Sequence, residues 1–263
     1  MATLPACCIP NKFKPVTHCI FDLDGTILET ETIYSKAIHS ILQEYDQELT
    51  KEYHTTITGL VEKDLSIKMV KDFDLPITPD EFVTVFRERS DSFLQEAEFM
   101  PGAVDLLQHL HAHRIPLAIG TSSGQYAVDL KFSNKKEIFD LFSHVVCGGS
   151  DPEVLEGKPA PDIFIVAARR FPDRPSPSKC LVFEDAVNGV KAALAAKMQV
   201  VMIPAPEVPY DCWKLATLRL DSLKCMVPEL FGLPAFNAPL PEEKAVNEND
   251  GMDASEEAVT NET

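Results

Sequence analysis

The first clear pattern along the chain is a short apolar run. Val16, Ile20, Phe21 and Leu23 lead into Asp22, Asp24 and Gly25, which predicts a buried strand running out into a turn. The period then changes from that of a strand to that of a helix. Ile33, Ala37, Ile38, Ile41 and Leu42 mark one face of a helix over 30–45, and similar spacing predicts helices over 60–73 and 80–94, with Gly59, Pro76 and Pro79 as breaks. No strand pattern interrupts this span of roughly 65 residues. From Met100-Pro101-Gly102 onward the elements alternate: a helix over 103–113, a strand over 115–121, a further helix, a strand over 145–147, a helix over 160–170, a strand over 180–183, a helix over 186–196 and a strand over 199–203. Unbroken apolar strands separated by helices predict an α/β fold, a doubly wound parallel sheet covered on both faces. The expected division is an N-terminal extension (1–14), an α/β core (15–28 and 98–235), an inserted small α-helical domain (29–97) and a disordered acidic tail (236–263).

Ligands of such sheets bind at the carboxyl ends of the strands, so the residues placed there are the candidates for chemistry. The first strand ends in Asp22 and Asp24. A turn needs one acid at most, and Asp22 lies in an apolar run where an unpaired charge is costly, so a divalent metal is the better explanation. The strand over 115–121 ends in Thr121-Ser122-Ser123-Gly124, whose hydroxyls and helix-opening amides suit a phosphate oxygen, although taken alone they read more plainly as a helix cap. Lys158 precedes a helix opened by prolines, where a solvated lysine is the plainer reading; Glu184-Asp185 follow a buried strand and read alone as another cap. Four consecutive strand ends, each carrying a group that phosphoryl chemistry needs, make coincidence a poor account.

These residues resemble, in order and spacing, the four motifs of the haloacid dehalogenase (HAD) superfamily of phosphohydrolases: Asp22-Leu23-Asp24-Gly25-Thr26, Thr121, Lys158 and Glu184-Asp185. The insertion after the first motif resembles that superfamily's helical cap. Within the superfamily, Cys180 to Ala186, Ala192 to Met202, Lys158 to Phe164 and Pro228 to Pro234 resemble the pseudouridine 5'-phosphatases of animals. The resemblance implies a HAD-like, Rossmannoid core and hydrolysis of a small phosphomonoester, pseudouridine 5'-phosphate, through an aspartyl-phosphate. It implies Asp22 as nucleophile and Asp24 as acid/base, with a raised pKa. Thr121, Ser122 and Lys158 would bind the phosphate, and Mg2+ would be held by Asp22, the backbone carbonyl of Asp24, Asp185 and Glu184. Gly59, Glu62 and Lys63 would meet substrate from the cap. Related mutases carry an arginine for a second phosphate near Glu62, so an acid there should repel a bisphosphate; Glu29 departs from the family's usual aspartate at the cap hinge. The alternatives are a phosphatase or mutase for another sugar or polyol phosphate, and a non-catalytic binding protein of the same fold.

Composition narrows the partners. A net charge of -17 over 263 residues argues against binding nucleic acid or an anionic membrane surface by bulk electrostatics. Seven cysteines without a Cys-x-x-Cys pair, mostly in apolar runs, read as reduced core thiols of a cytoplasmic protein. No membrane span or charged leader is visible, and a monomer or weak homodimer is expected. His109 and His113, one helical turn apart, have no acid nearby in sequence and read as surface or capping histidines.

Overall fold

The structure, a computed structural model, describes residues 13–205 and 208–242. The elements run β1 (His18–Phe21), α1 (Glu31–Gln43), α2 (Lys51–Ile57), α3 (Glu62–Asp72), α4 (Pro79–Leu94), α5 (Ala103–Ala112), β2 (Leu117–Thr121), α6 (Gln125–Phe132), α7 (Lys136–Phe139), β3 (His144–Cys147), α8 (Asp162–Arg170), β4 (Cys180–Glu184), α9 (Val187–Ala195), β5 (Gln199–Met202), α10 (Tyr210–Trp213) and β6 (Leu218–Arg219). Among the described residues the strands form one parallel sheet in the order β3-β2-β1-β4-β5-β6.

β1 is central, with Cys19 opposite Leu117 on one side and Leu181 on the other. Cys19 and Phe21 face a core that includes Leu106, Leu107 and Leu110, while Ile20 faces one that includes Phe164 and Val190. Both faces are therefore dry, which is why these strands read as continuous apolar runs rather than alternating ones. The rings of Phe21 and Phe183 stack across the β1–β4 pair at 4.3 Å.

Helices α1 to α4 have an apolar cluster of their own, built from Ile38, Ile41, Leu42, Met69, Phe82 and Phe86. Thr78 and Glu81 close a capping box at the start of α4, with Pro79 in its first turn. The helical lobe meets the sheet domain through polar contacts: Ser122 Oγ donates to the Gly59 carbonyl at 2.7 Å, and Asn188 Nδ2 to that of Thr58 at 3.1 Å.

Two elements escape the sequence pattern. Helix α2 buries Ile57 alone, so no apolar stripe announces it, and it is started instead by Thr50, whose side chain accepts from Tyr53 N. Strand β6 is a two-residue edge. The cysteines also differ from expectation: Cys19, Cys147 and Cys180 are buried and free, but Cys212, in the short helix α10, is partly exposed, and Cys225, in a single helical turn beyond β6, is exposed. Cys7, Cys8, the rest of 1–12 and the tail from 243 onward lie outside the described residues. His109 Nε2 bonds the Pro234 carbonyl at 2.9 Å and His113 Nδ1 that of His109 at 2.9 Å. No described helix is long and apolar enough to cross a membrane.

Candidate active site

Asp22, Lys158, Glu184 and Asp185 are all buried at the carboxyl ends of β1, β3 and β4. Lys158 Nζ donates to Asp22 Oδ1 and, at 2.6 Å, to Glu184 Oε1. Burial works against its ammonium, but the two carboxylates outweigh that and hold its pKa above the usual lysine range. The second Glu184 oxygen accepts from the backbone N–H groups of Asp185 and Ala186, both at 3.1 Å, so both oxygens of this fully buried acid are directed to donors. The site needs two glycines. A Cβ at Gly189 would lie 1.7 Å from Glu184 Oε1, and one at Gly25, where φ is +75°, would lie 2.3 Å from Asp185 Oδ2.

Burial raises Asp22 to about 7, with Lys158 opposing and Glu184 and Asp24 assisting. Burial and the nearby Glu31 and Glu184 likewise raise Asp185 well above the carboxylate range. One lysine thus does not neutralise the acids gathered here. Carboxylate oxygens of Asp22, Glu184 and Asp185 come within 4.8 Å of one another, a hard, anionic donor set that fits Mg2+.

Asp24 behaves differently from its neighbour. Its carboxylate is turned to Lys131, with Nζ at 2.5 Å, and also accepts from Thr30 at 2.7 Å, Ser123 at 2.9 Å and Thr121 at 3.1 Å. Burial alone would raise its pKa, yet Lys131 and these hydroxyls bring it below its ordinary value. The raised Asp24 expected from sequence is therefore corrected: the neighbouring acids are outweighed by a cation from α6 that sequence reasoning missed. Lys131 is itself completely buried, donates to Ser123 Oγ at 2.7 Å and lies 5.2 Å above the Tyr34 ring. Its one signal in the sequence is position, since it falls on the buried stripe of α6 with Val128. Thr121 and Ser123 both serve Asp24, whereas the Ser122 hydroxyl donates to the lobe at Gly59.

A cleft between sheet domain and lobe opens onto Asp22 and Asp24, enclosing about 930 Å3 including its open mouth. Gly59 and Glu62 line it; Lys63 is exposed and does not. Glu31, also missed from sequence, lines the cleft and is raised to about 8 by burial and by Asp24 and Asp22. Glu62 does not present a bare charge. Arg87 of α4 grips it with both fork nitrogens, Nε at 2.8 Å, so the acid expected to repel a bisphosphate is paired with a cation.

Comparison with known proteins places the chain in a family. The sequence profile of haloacid dehalogenase-like hydrolases matches residues 16–197. A probable pseudouridine-5'-phosphatase of Drosophila melanogaster is 47% identical over 227 residues, covering 86% of this chain and 98% of that protein. A mitochondrial (DL)-glycerol-3-phosphatase of Arabidopsis thaliana is 38% identical over 84% of this chain and 75% of its own length. In fold, the crystal structure of a beta-phosphoglucomutase from Clostridium difficile superposes with a TM-score of 0.69 at 21% identity, covering 82% of this chain and 97% of that one. The chain belongs to the haloacid dehalogenase-like hydrolase family.

Proposed function

We propose that this phosphatase hydrolyses pseudouridine 5'-phosphate with Mg2+ through an aspartyl-phosphate on Asp22. The observation that carries the chemistry is the buried Asp22–Lys158–Glu184 chain at adjoining strand ends, beside a second, separately held carboxylate, Asp24. Asp22 Oδ attacks phosphorus as the bond to the leaving oxygen breaks, and water then opens the acyl-phosphate. Lys158 is placed to balance charge on the transferred group while keeping Asp22 aligned. Held as a carboxylate by Lys131, Asp24 is set up to take the proton of the attacking water; to protonate the leaving oxygen in the first half it must gain a proton and leave the lysine's side. Asp22, Glu184 and Asp185, with the Asp24 backbone carbonyl, would hold Mg2+, which when bound would supply the positive charge that a dianionic phosphate requires among these acids. Thr121 and Ser122, whose hydroxyls are held by Asp24 and by the Gly59 carbonyl, turn from these acceptors to donate to the phosphate, and residues 29–97 form the cap that shields it.

The substrate rests on the 47% identity to a relative named for pseudouridine 5'-phosphate. Relatives named glycerol-3-phosphatases make a polyol phosphate the second reading. The free cysteines fit a reducing, cytoplasmic setting, and the acidic chain fits a small-molecule substrate rather than nucleic acid. Phosphate release from pseudouridine 5'-phosphate, uridine 5'-phosphate, glycerol 3-phosphate and a hexose 1-phosphate, with Mg2+ or with EDTA, tests these readings. Preference for the first, loss in EDTA and a fall of ~10³-fold or more in Asp22→Asn are expected. Near-wild-type turnover by Asp22→Asn would remove it as nucleophile.

A further inference from the structure

Where the lobe meets the sheet domain, four groups form a polar wall of the cleft. Glu62 opens α3, Arg87 and Asp91 stand one turn apart on α4, and Tyr126 faces them from α6 of the sheet domain. Arg87 donates to both Glu62 oxygens and sits 5.7 Å from the Tyr126 ring centroid. Beside them the lining includes Ile38, Leu65, Phe86 and Leu94, with Glu31, His54 and Ser90 as further polar members. The same cleft contains Asp22 and Asp24, so a phosphate at the strand ends would point its leaving group toward this wall.

The chemistry of the wall is specific. The guanidinium's charge is matched by Glu62, and a fork already committed on one edge keeps N–H donors on the other. Asp91 supplies an acceptor one helical turn away. An isolated surface pair of this kind contributes little to stability, so holding α3 to α4 is a weak reason for it to stand in the mouth of the site. We propose that Arg87, neutralised and aimed by Glu62, is the specificity-determining residue for the leaving group, donating to a carbonyl oxygen of an uncharged planar base while Asp91 accepts from an adjacent ring N–H. The class selected is a nucleoside with a lactam or imide edge, and a second anionic group is refused because Glu62 cancels the cation that would receive it. This rests on the nucleotide reading of the function given above.

The test is steady-state kinetics of the full chain with Mg2+ on pseudouridine 5'-phosphate, on phenyl phosphate, which is planar but lacks polar edges, and on a hexose bisphosphate. Arg87→Ala should lower kcat/KM for pseudouridine 5'-phosphate at least tenfold, chiefly through KM, and leave phenyl phosphate within about twofold. Arg87→Lys, which keeps the charge but loses the fork, should not restore it. Glu62→Gln should raise kcat/KM for the bisphosphate several-fold, because the cation is uncovered. Equal losses on both monoesters would show that Arg87 only supports the lobe, and unchanged kinetics would show that it does nothing; either overturns the inference while the phosphatase stands. A wild-type enzyme that turns over phenyl phosphate but not pseudouridine 5'-phosphate overturns the substrate reading and this inference with it.

Discussion

Asp22 and Asp24 are two residues apart, and the fold gives them opposite electrostatics. Asp22 shares Lys158 with Glu184 and stays raised near 7, while Asp24 has Lys131 and three hydroxyls and is lowered. A carboxyl lowered on folding contributes stability above its unfolded pKa, near 4, and loses it as pH falls through the folded value. Lys131→Met leaves Asp24 buried without its cation, which should cost ~3–5 kcal/mol at pH 7. Its pKa then rises above the unfolded value, so the sign reverses and the variant should gain stability between pH 7 and 5. Urea midpoints in metal-free buffer at the two pH values check this, with the Asp24→Asn, Lys131→Met double variant expected to recover part of the loss. A variant that loses no stability at pH 7 would contradict the pairing. Asp22 and Asp24 were legible because paired acids are unusual at the end of an apolar strand, and Lys158 only by its place in the order of the four motifs. Lys131 was not, because a lysine in a helix is ordinarily solvated and only packing shows this one to be dry.

Among the elements, α9 has the strictest sequence demand. Its Gly189 lets the helix approach Glu184 closely, and any side chain there meets the carboxylate that orients Lys158. Gly189→Ala should therefore lower the thermal midpoint, by ~1–3 kcal/mol in stability, and shrink the upward shift that Mg2+ produces. Scanning calorimetry with EDTA and with Mg2+ reads both, and a midpoint equal to wild type in both buffers would mean that Glu184 relaxes freely. The amphipathic helices α1, α3 and α4 and the apolar strands announced themselves by period. Helix α2 and strand β6 did not, since one is made by a cap and the other by an edge position.

At the level of the whole molecule, a net charge of -17 opposes the approach of a phosphate dianion. Residues 243–263 hold seven acids against a single base, Lys244, so a chain ending at residue 242 carries -11. If this charge acts only through its long-range field, truncation should leave kcat unchanged and raise kcat/KM at low salt by roughly up to twofold, an advantage that vanishes near 0.15 M salt, where the Debye length is about 8 Å. A change in kcat would instead assign the tail a direct part in catalysis.

What the amino-acid order determined by itself is the layered α/β architecture, the helical insertion and the identity of the strand-end acids and lysine, because hydrophobic period and residue type are local properties. The tertiary structure decided how those groups are charged and toward what they point. Asp24's cation comes from α6, Glu62's from α4, and Glu184's room from α9. Each is a contact between segments distant in the chain, and a pKa or an open donor edge depends on neighbours in space.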